Sequence, residues 1–236
     1  MVARMELMQK SLKALGAALS LLVLSACSSG DEALSNYDFM RQTVTQVASQ
    51  QGRGEPKPLK INRRLLDNTK EAVLMGTPEI TGQAALLRRV ARRNDPYPGT
   101  LEVWLASNAA QVSFRDGVVV GSKGLGADIQ SSDVSQTLSR LAARQSGPTR
   151  KQLHFIRGDN APVVVNMSCN MADLGAESVT IVDQTFPVRH FRESCEAEGA
   201  PFVYDYWLDY RSGLIRKSRQ WMGPSNDYFE FVLLKS

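Results

Sequence analysis

Cysteine and histidine are scarce in this chain, with three of the first and two of the second in 236 residues. So few exclude a disulfide-dense scaffold and a Cys/His metal cluster. His154 and His190 lack any short-range ligand spacing to a cysteine pair, so no metal site is read, and each is taken as a hydrogen-bonded structural histidine. Long hydrophobic runs are missing as well. The longest, residues 14–26, falls short of the about 20 apolar residues that a bilayer span needs. No charge of one sign dominates. The formal net charge is +4, too small to argue for a nucleic-acid partner. There is no Gly-x-Ser-x-Gly nucleophile elbow, and the carboxylates are too scattered for a glycosidase pair to be chosen. No catalytic residue and no cofactor are assigned, and the chain is read as a non-enzyme. Internal repeats and long low-complexity segments are absent too.

What is present begins at the N-terminus. Arg4, Lys10 and Lys13 precede the apolar run, which closes on Leu24-Ser25-Ala26-Cys27. A basic start, an apolar middle and small residues before a cut make a secretory signal. A cysteine directly after the small residues makes it a bacterial lipobox, because the Cys27 thiol is the atom that receives diacylglycerol. An incidental cysteine in an ordinary signal is the alternative. The expected organisation is a lipoprotein signal peptide over residues 1–26, a tether over 27–35, and one β-rich domain over 36–236. The signal carries Arg4, Lys10, Lys13 and Glu6, so its removal lowers the net charge to about +2. Attachment is through acyl chains, each buried methylene contributing about 0.8 kcal/mol. Ser28 is not the aspartate that retains lipoproteins at the inner membrane of enteric bacteria. The expected address is therefore the outer membrane, facing the periplasm.

With Cys27 lipidated, Cys169 and Cys195 remain in an oxidising compartment. An even remainder there points to a disulfide, with two separate buried thiols as the alternative.

The pattern along the chain starts with helices. Asn36 caps one running to about Ser49, and Gly52 to Pro58 is a breaker-rich loop. Ala72 to Met75 is a short strand ended by Gly76. Thr81 to Asn94 reads as a second helix, with Ala84, Leu87 and Ala91 on one stripe. Its arginines, Arg88, Arg89, Arg92 and Arg93, are either a patch for anionic lipid or acidic glycan or a solvated face. From Thr100 onward, strands alternate. Hairpins are predicted around Asp116-Gly117, Gly158-Asp159-Asn160, Asp183-Gln184 and a turn ending at Gly213, and Asp227 to Leu234 is a last strand. Ser131-Ser132-Asp133 caps a helix containing Val134, Leu138 and Leu141. Gly121 to Gly126 lies between strand and helix but lacks Walker spacing, and is read as a structural turn. Serial hairpins favour an antiparallel sheet.

The hairpin over residues 202–222 holds the candidate binding residues. Alternation places Phe202, Tyr204, Tyr206, Leu208 and Tyr210 on one face with Ile215, Lys217, Arg219 and Trp221. Aromatic faces stack on sugars and cations pair with acids, so Tyr204, Tyr206, Lys217, Arg219 and Trp221 make a candidate wall for glycan or a partner. Core packing with cations snorkelling at the rim is the competing reading.

Three stretches carry a resemblance. They are Val112 to Val120 running into Lys123-Gly124-Leu125-Gly126-Ala127-Asp128; Tyr206-Trp207-Leu208-Asp209 with Ser212 to Gln220; and Phe229 to Leu234. Together with the lipobox they resemble the YjbF/GfcB family of exopolysaccharide and group 4 capsule lipoproteins, over most of residues 100–236. The resemblance implies a mainly β single domain on a strongly curved antiparallel sheet, a half-barrel or open barrel with a few short helices. It implies a role in assembly or export of an extracellular polysaccharide, beside a periplasmic companion and an outer-membrane barrel protein. It supplies no catalytic residue. Cys195 falls near a family cysteine, whereas Cys169 looks like an addition. The expected function is thus that of a lipid-anchored accessory protein acting by binding. The alternatives are a lipid or lipoprotein carrier with a curved-sheet cavity, and a glycan-modifying enzyme.

Overall fold

A computed structural model describes residues 61–236. Cys27, the signal, the tether and the expected helix from Asn36 lie outside the described residues. Twelve strands form one antiparallel sheet, nearly closed and barrel-shaped. In chain order they are β1 (Val73–Pro78), β2 (Ala85–Arg93), β3 (Leu101–Ala106), β4 (Gln111–Arg115), β5 (Val118–Lys123), β6 (Ser131–Asp133), β7 (Gly147–Ile156), β8 (Pro162–Ile181), β9 (Gln184–Ala197), β10 (Ala200–Asp209), β11 (Ile215–Trp221) and β12 (Tyr228–Lys235). Two helices accompany them, α1 (Arg63–Asn68) and α2 (Ser135–Ala143). The spatial order is β5-β4-β3-β2-β1-β12-β11-β10-β9-β8-β7-β6. Two meanders therefore meet where β1 pairs with β12, and the ends β5 and β6 curl toward each other.

The seam between those ends closes without a full ladder. Ser122 of β5 donates its amide to the Ile129 carbonyl, and its hydroxyl accepts from the Ile129 amide, just before β6. Gln220, buried on β11, reaches across the interior. Its Oε1 accepts from the Val119 amide at 2.9 Å and its Nε2 donates to the Gly117 carbonyl at 2.9 Å. One side chain thus satisfies backbone groups that an exposed edge would leave open. The β4–β5 turn uses Asp116 and Gly117 at φ 45° and 86°. Both residues lie in the left-handed region that a two-residue hairpin of this type requires.

Inward rows cross the sheet in register. One runs Phe191, Tyr206, Ser218, Phe231 and Gly76. A Cβ at Gly76 would lie 3.2 Å from both Leu87 and Phe231, so glycine makes room for the aromatic ring there. The helix α2 buries Thr137, Leu138 and Leu141 in the same core. The cap differs in detail from expectation. Ser131–Asp133 is itself β6, and the Asp133 carboxylate accepts from the Ser135 amide at 3.0 Å.

A smaller cluster covers part of the outer face. Leu66 of α1 joins Val73, Ile181, Val232 and Leu234. Lys235 donates to the carbonyls of Leu66 and Thr69, tying the end of α1 to β12.

Two expectations are corrected. Residues 81–94 form no helix. Ala85–Arg93 is β2, paired to β1 on one side and β3 on the other, with a bulge between Arg89 and Ala91. Strand pairing outweighs the helical propensity of its arginines and alanines, as tertiary context does when the local preference is weak. The run from 162 to 181 is one strand of 20 residues rather than pieces of two hairpins. Its turn with β9 falls at Val182-Asp183, because Ile181 pairs with Gln184.

Candidate functional site

The β10–β11 hairpin does not present its five candidate residues on one face. Leu208 pairs with Ile215, as alternation requires near the turn, but a bulge then separates this pair from Trp207 and Lys217. Arg216 is the extra residue. Beyond it the phase inverts, since one added residue exchanges the two faces of a strand. Tyr204 and Tyr206 therefore point into the barrel with Ser218 and Gln220. Lys217 and Arg219 lie outside with Trp207 and Asp205. Trp221 is buried, in edge contact with Phe202 and Phe155 at 4.9 and 5.8 Å between ring centres.

The inner half is built around a charge that the sequence reading missed. Lys151 of β7 is buried, 2.8 Å from Oε2 of Glu193 on β9, which is also buried. Lys151 donates to the Tyr206 hydroxyl at 2.9 Å and stands 4.1 Å over the Tyr204 ring. The other carboxylate oxygen accepts from the hydroxyls of Thr137 and Thr149, so α2 is bound to the pair. Burial pushes the Lys151 ammonium pKa down, while Glu193 opposes the shift. Burial raises both tyrosines well above the usual phenol range. The signal was in the alternation. Lys151 shares a phase with Leu153 and Phe155, and Glu193 with Phe191 and Cys195, so each is a charge on an apolar face. Beside them Cys169 and Cys195 are bonded directly across β8 and β9. Their sulfurs lie near the Glu193 carboxylate, but bonded sulfurs are not thiolate ligands.

The outer half is a chain of hydrogen bonds and closed ion pairs. His190 stacks on Trp207 at 4.3 Å and 18°, with Nδ1 2.9 Å from Glu177 and Nε2 2.8 Å from Asp205. Trp207 donates its indole N–H to Glu177 at 2.8 Å. That hydrogen bond, with the one from His190, holds the Glu177 carboxyl below its ordinary range. Arg192 also holds Asp205, while Lys217 pairs with Glu230 and Arg219 with Glu79. Arg219 further stacks on Tyr228 at 3.6 Å. Each candidate cation has a carboxylate of its own.

The glycine-rich loop is occupied from within. Asp128 accepts from the amides of Gly124 and Leu125 and from the Ser122 hydroxyl. A carboxylate stands where a phosphate would have to sit, in accord with the structural-turn reading. The arginine block is divided. Arg89 and Arg92 share Glu102, while Arg88 and Arg93 are exposed.

Two cavities open along the interior. One of about 340 Å³ lies under α2, between Leu138 and Leu141 on one side and Trp104, Phe114, Leu208 and Phe231 on the other. Its rim carries Arg92, Glu102, Asp116 and Arg144. The other, of about 400 Å³, is walled by Leu87, Val112, Phe229 and Phe231, with Gln83, Asn108 and Asn226 among its polar groups. Among the described residues, Asn226 Nδ2 is the one buried side-chain polar atom without a partner.

Comparison with known proteins adds the family. The model of the family described as group 4 capsule polysaccharide lipoprotein gfcB, YjbF matches residues 38–234. The chain belongs to this family. The match spans the arginine-rich strand β2 as well as the stretches that carried the resemblance. The crystal structure of the hypothetical lipoprotein YmcC from Escherichia coli K12 is similar in fold, with a TM-score of 0.62 at 17% identity, covering 73% of this chain and 92% of that one. No curated protein matches the chain. Membership of the YjbF family makes this a capsule-related lipoprotein on a mainly β, barrel-shaped sheet, as the sequence implied.

Proposed function

We propose that this chain is a lipid-anchored accessory protein of capsule or exopolysaccharide assembly or export, acting by binding and not by catalysis. The observation that carries the reading is the family match over residues 38–234, and the lipobox ending at Cys27 gives it a means of attachment. The proposed address is the outer membrane, facing the periplasm. The proposed partners are an outer-membrane barrel protein and a periplasmic companion of the same export system, with the polysaccharide itself as a further ligand. Deleting the gene tests this. Surface polysaccharide should fall in amount or change in chain length, and the wild-type gene should restore it where Cys27→Ser does not. Unchanged polysaccharide in the deletion strain would reject the reading.

A second reading, a lipid carrier, has one observation in its favour: the cavity under α2 has an apolar floor and a charged rim. Saturable binding of a single-chain amphiphile would support it, and none would reject it.

A further inference from the structure

We infer that the barrel interior is a bore for one acyl chain of an anionic amphiphile, with its head at the Arg144 rim and its length limited by Phe231. The inference deepens the carrier reading and rests on it.

The two cavities are stacked along the strands. Successive inward residues pass from the first to the second on three of them: Leu74 to Gly76 on β1, Trp104 to Ala106 on β3, and Phe114 to Val112 on β4. On β12, Phe231 stands in both walls. Its ring is held in edge contact with Phe114 at 5.0 Å and fills the room that Gly76 makes for it. Phe231 therefore stands as the partition between the two chambers. The first chamber, about 340 Å³, holds roughly eleven groups the size of a water or methylene, at about 30 Å³ each. A chain of about ten to twelve carbons fills it. At its floor the walls offer aliphatic and aromatic carbon, which favours an alkyl chain over a sugar ring.

The rims set the orientation. The second chamber is lined by the uncharged amides of Gln83, Asn108 and Asn226 and by no charged side chain. The first has charge. Glu102 is shared by Arg89 and Arg92, and the Asp116 carboxylate accepts from the Thr100 amide. Arg144 is held by the Tyr210 carbonyl and ring, neutral groups both, and among the described residues it has no carboxylate partner. Its backbone is left-handed, at φ 54°, where α2 ends. Tyr210 and Leu214 are exposed at the same lip. A cation beside exposed apolar groups suits a head with a negative charge and the first methylenes of a chain.

The test uses the full chain carrying Cys27→Ser in detergent-free buffer, with alkyl phosphates of 8 to 18 carbons as probes and a terminally brominated dodecyl phosphate as quencher. Saturable one-to-one quenching that disappears in Trp104→Phe is expected, with tightest binding near 10 to 12 carbons, as roughly estimated from the chamber volume. Phe231→Ala should move the optimum to 16 carbons or more, and the milder Phe231→Leu should move it in the same direction. Ala142→Phe, at an exposed position on the cavity wall, should block entry. Arg144→Gln should weaken dodecyl phosphate by about tenfold, the loss of one charge-assisted contact, while leaving dodecyl maltoside unchanged. Absence of saturable binding in the parent chain would reject the carrier reading and this inference together. Binding whose chain-length optimum ignores both Phe231 variants, or whose quenching survives in Trp104→Phe, would overturn the inference and leave the carrier reading standing. The polysaccharide reading is decided separately, by the deletion strain.

Discussion

Lys151 and Glu193 show what one buried pair asks of its surroundings. Removing both charges from water costs several kcal/mol per ion, and mutual attraction offsets this only where the remaining donors and acceptors are met. Here they are met, by Tyr206, Thr137 and Thr149. The pair is strong only while intact. Lys151→Met should leave an uncompensated carboxylate and cost about 3–5 kcal/mol, a large part of a typical domain stability of about 5–15 kcal/mol. The double variant Lys151→Met, Glu193→Leu should recover most of that loss. Urea unfolding followed by circular dichroism measures both. If the single variant is as stable as the parent, the pair is not the constraint the geometry describes. The same two residues show why sequence reading found only part of the site. It selected Tyr204, Tyr206 and Trp221 for their aromatic character, and Lys217 and Arg219 for their charge. Arg216, the bulged residue, set Lys217 and Arg219 on the face opposite Tyr204 and Tyr206. A bulge leaves no mark in the alternation of side chains until the partner strand is known.

Strands with clear alternation and a glycine turn were legible. The β4–β5 hairpin is an instance, since its apolar residues and Asp116-Gly117 suffice to specify it. The two failures have different causes. In β2 a single buried leucine, Leu87, follows no strong pattern, and the pairing comes from β1 and β3. In β8 the inward row Val163, Val165, Met167, Cys169, Met171 alternates well. Polar Asn166, Ser168 and Asn170 fill its outward positions, between the two hairpins that the sequence predicts. A disulfide cross-links this long strand to β9. The bond closes a loop with a separation of 26 residues, for which the chain-entropy model gives about 3–4 kcal/mol. Reduction should lower the unfolding midpoint accordingly, and Cys169→Ala with Cys195→Ala should do the same without reductant. Thermal unfolding with and without dithiothreitol measures this. Equal midpoints would show that the ladder between β8 and β9 needs no staple. Free-thiol counting on the oxidised Cys27→Ser chain should find none.

Across the whole barrel, the charged side chains make stability depend on acid in one direction. Five carboxyls among the described residues sit below their ordinary values in the folded protein. Asp95 is held by Arg115, Asp159 by Arg157, Asp173 by Arg189, and Glu177 by the Trp207 indole and His190. For Asp209, burial pushes upward but is outweighed by the Ser212 amide, Arg216 and the Arg211 amide. Asp227 runs the other way, raised by burial and by nearby Glu79. A carboxyl with a depressed folded value binds its proton less readily folded than unfolded. Its contribution is complete above the ordinary values of 3.8 for aspartate and 4.5 for glutamate. It is lost as pH falls through the folded values. Five such groups against one predict a flat melting temperature from neutrality to about pH 5 and a progressive fall below it. Removing a partner should shrink the effect at its own site. In Arg189→Gln, Asp173 loses the group that depresses it, so the variant should be less stable at neutral pH and approach the parent as both are taken toward pH 3. Melting curves of the two proteins between pH 7 and pH 3 give the comparison. A melting temperature that rises on acidification, or a gap between parent and variant that widens there, would mean that these ion pairs do not govern the acid limb.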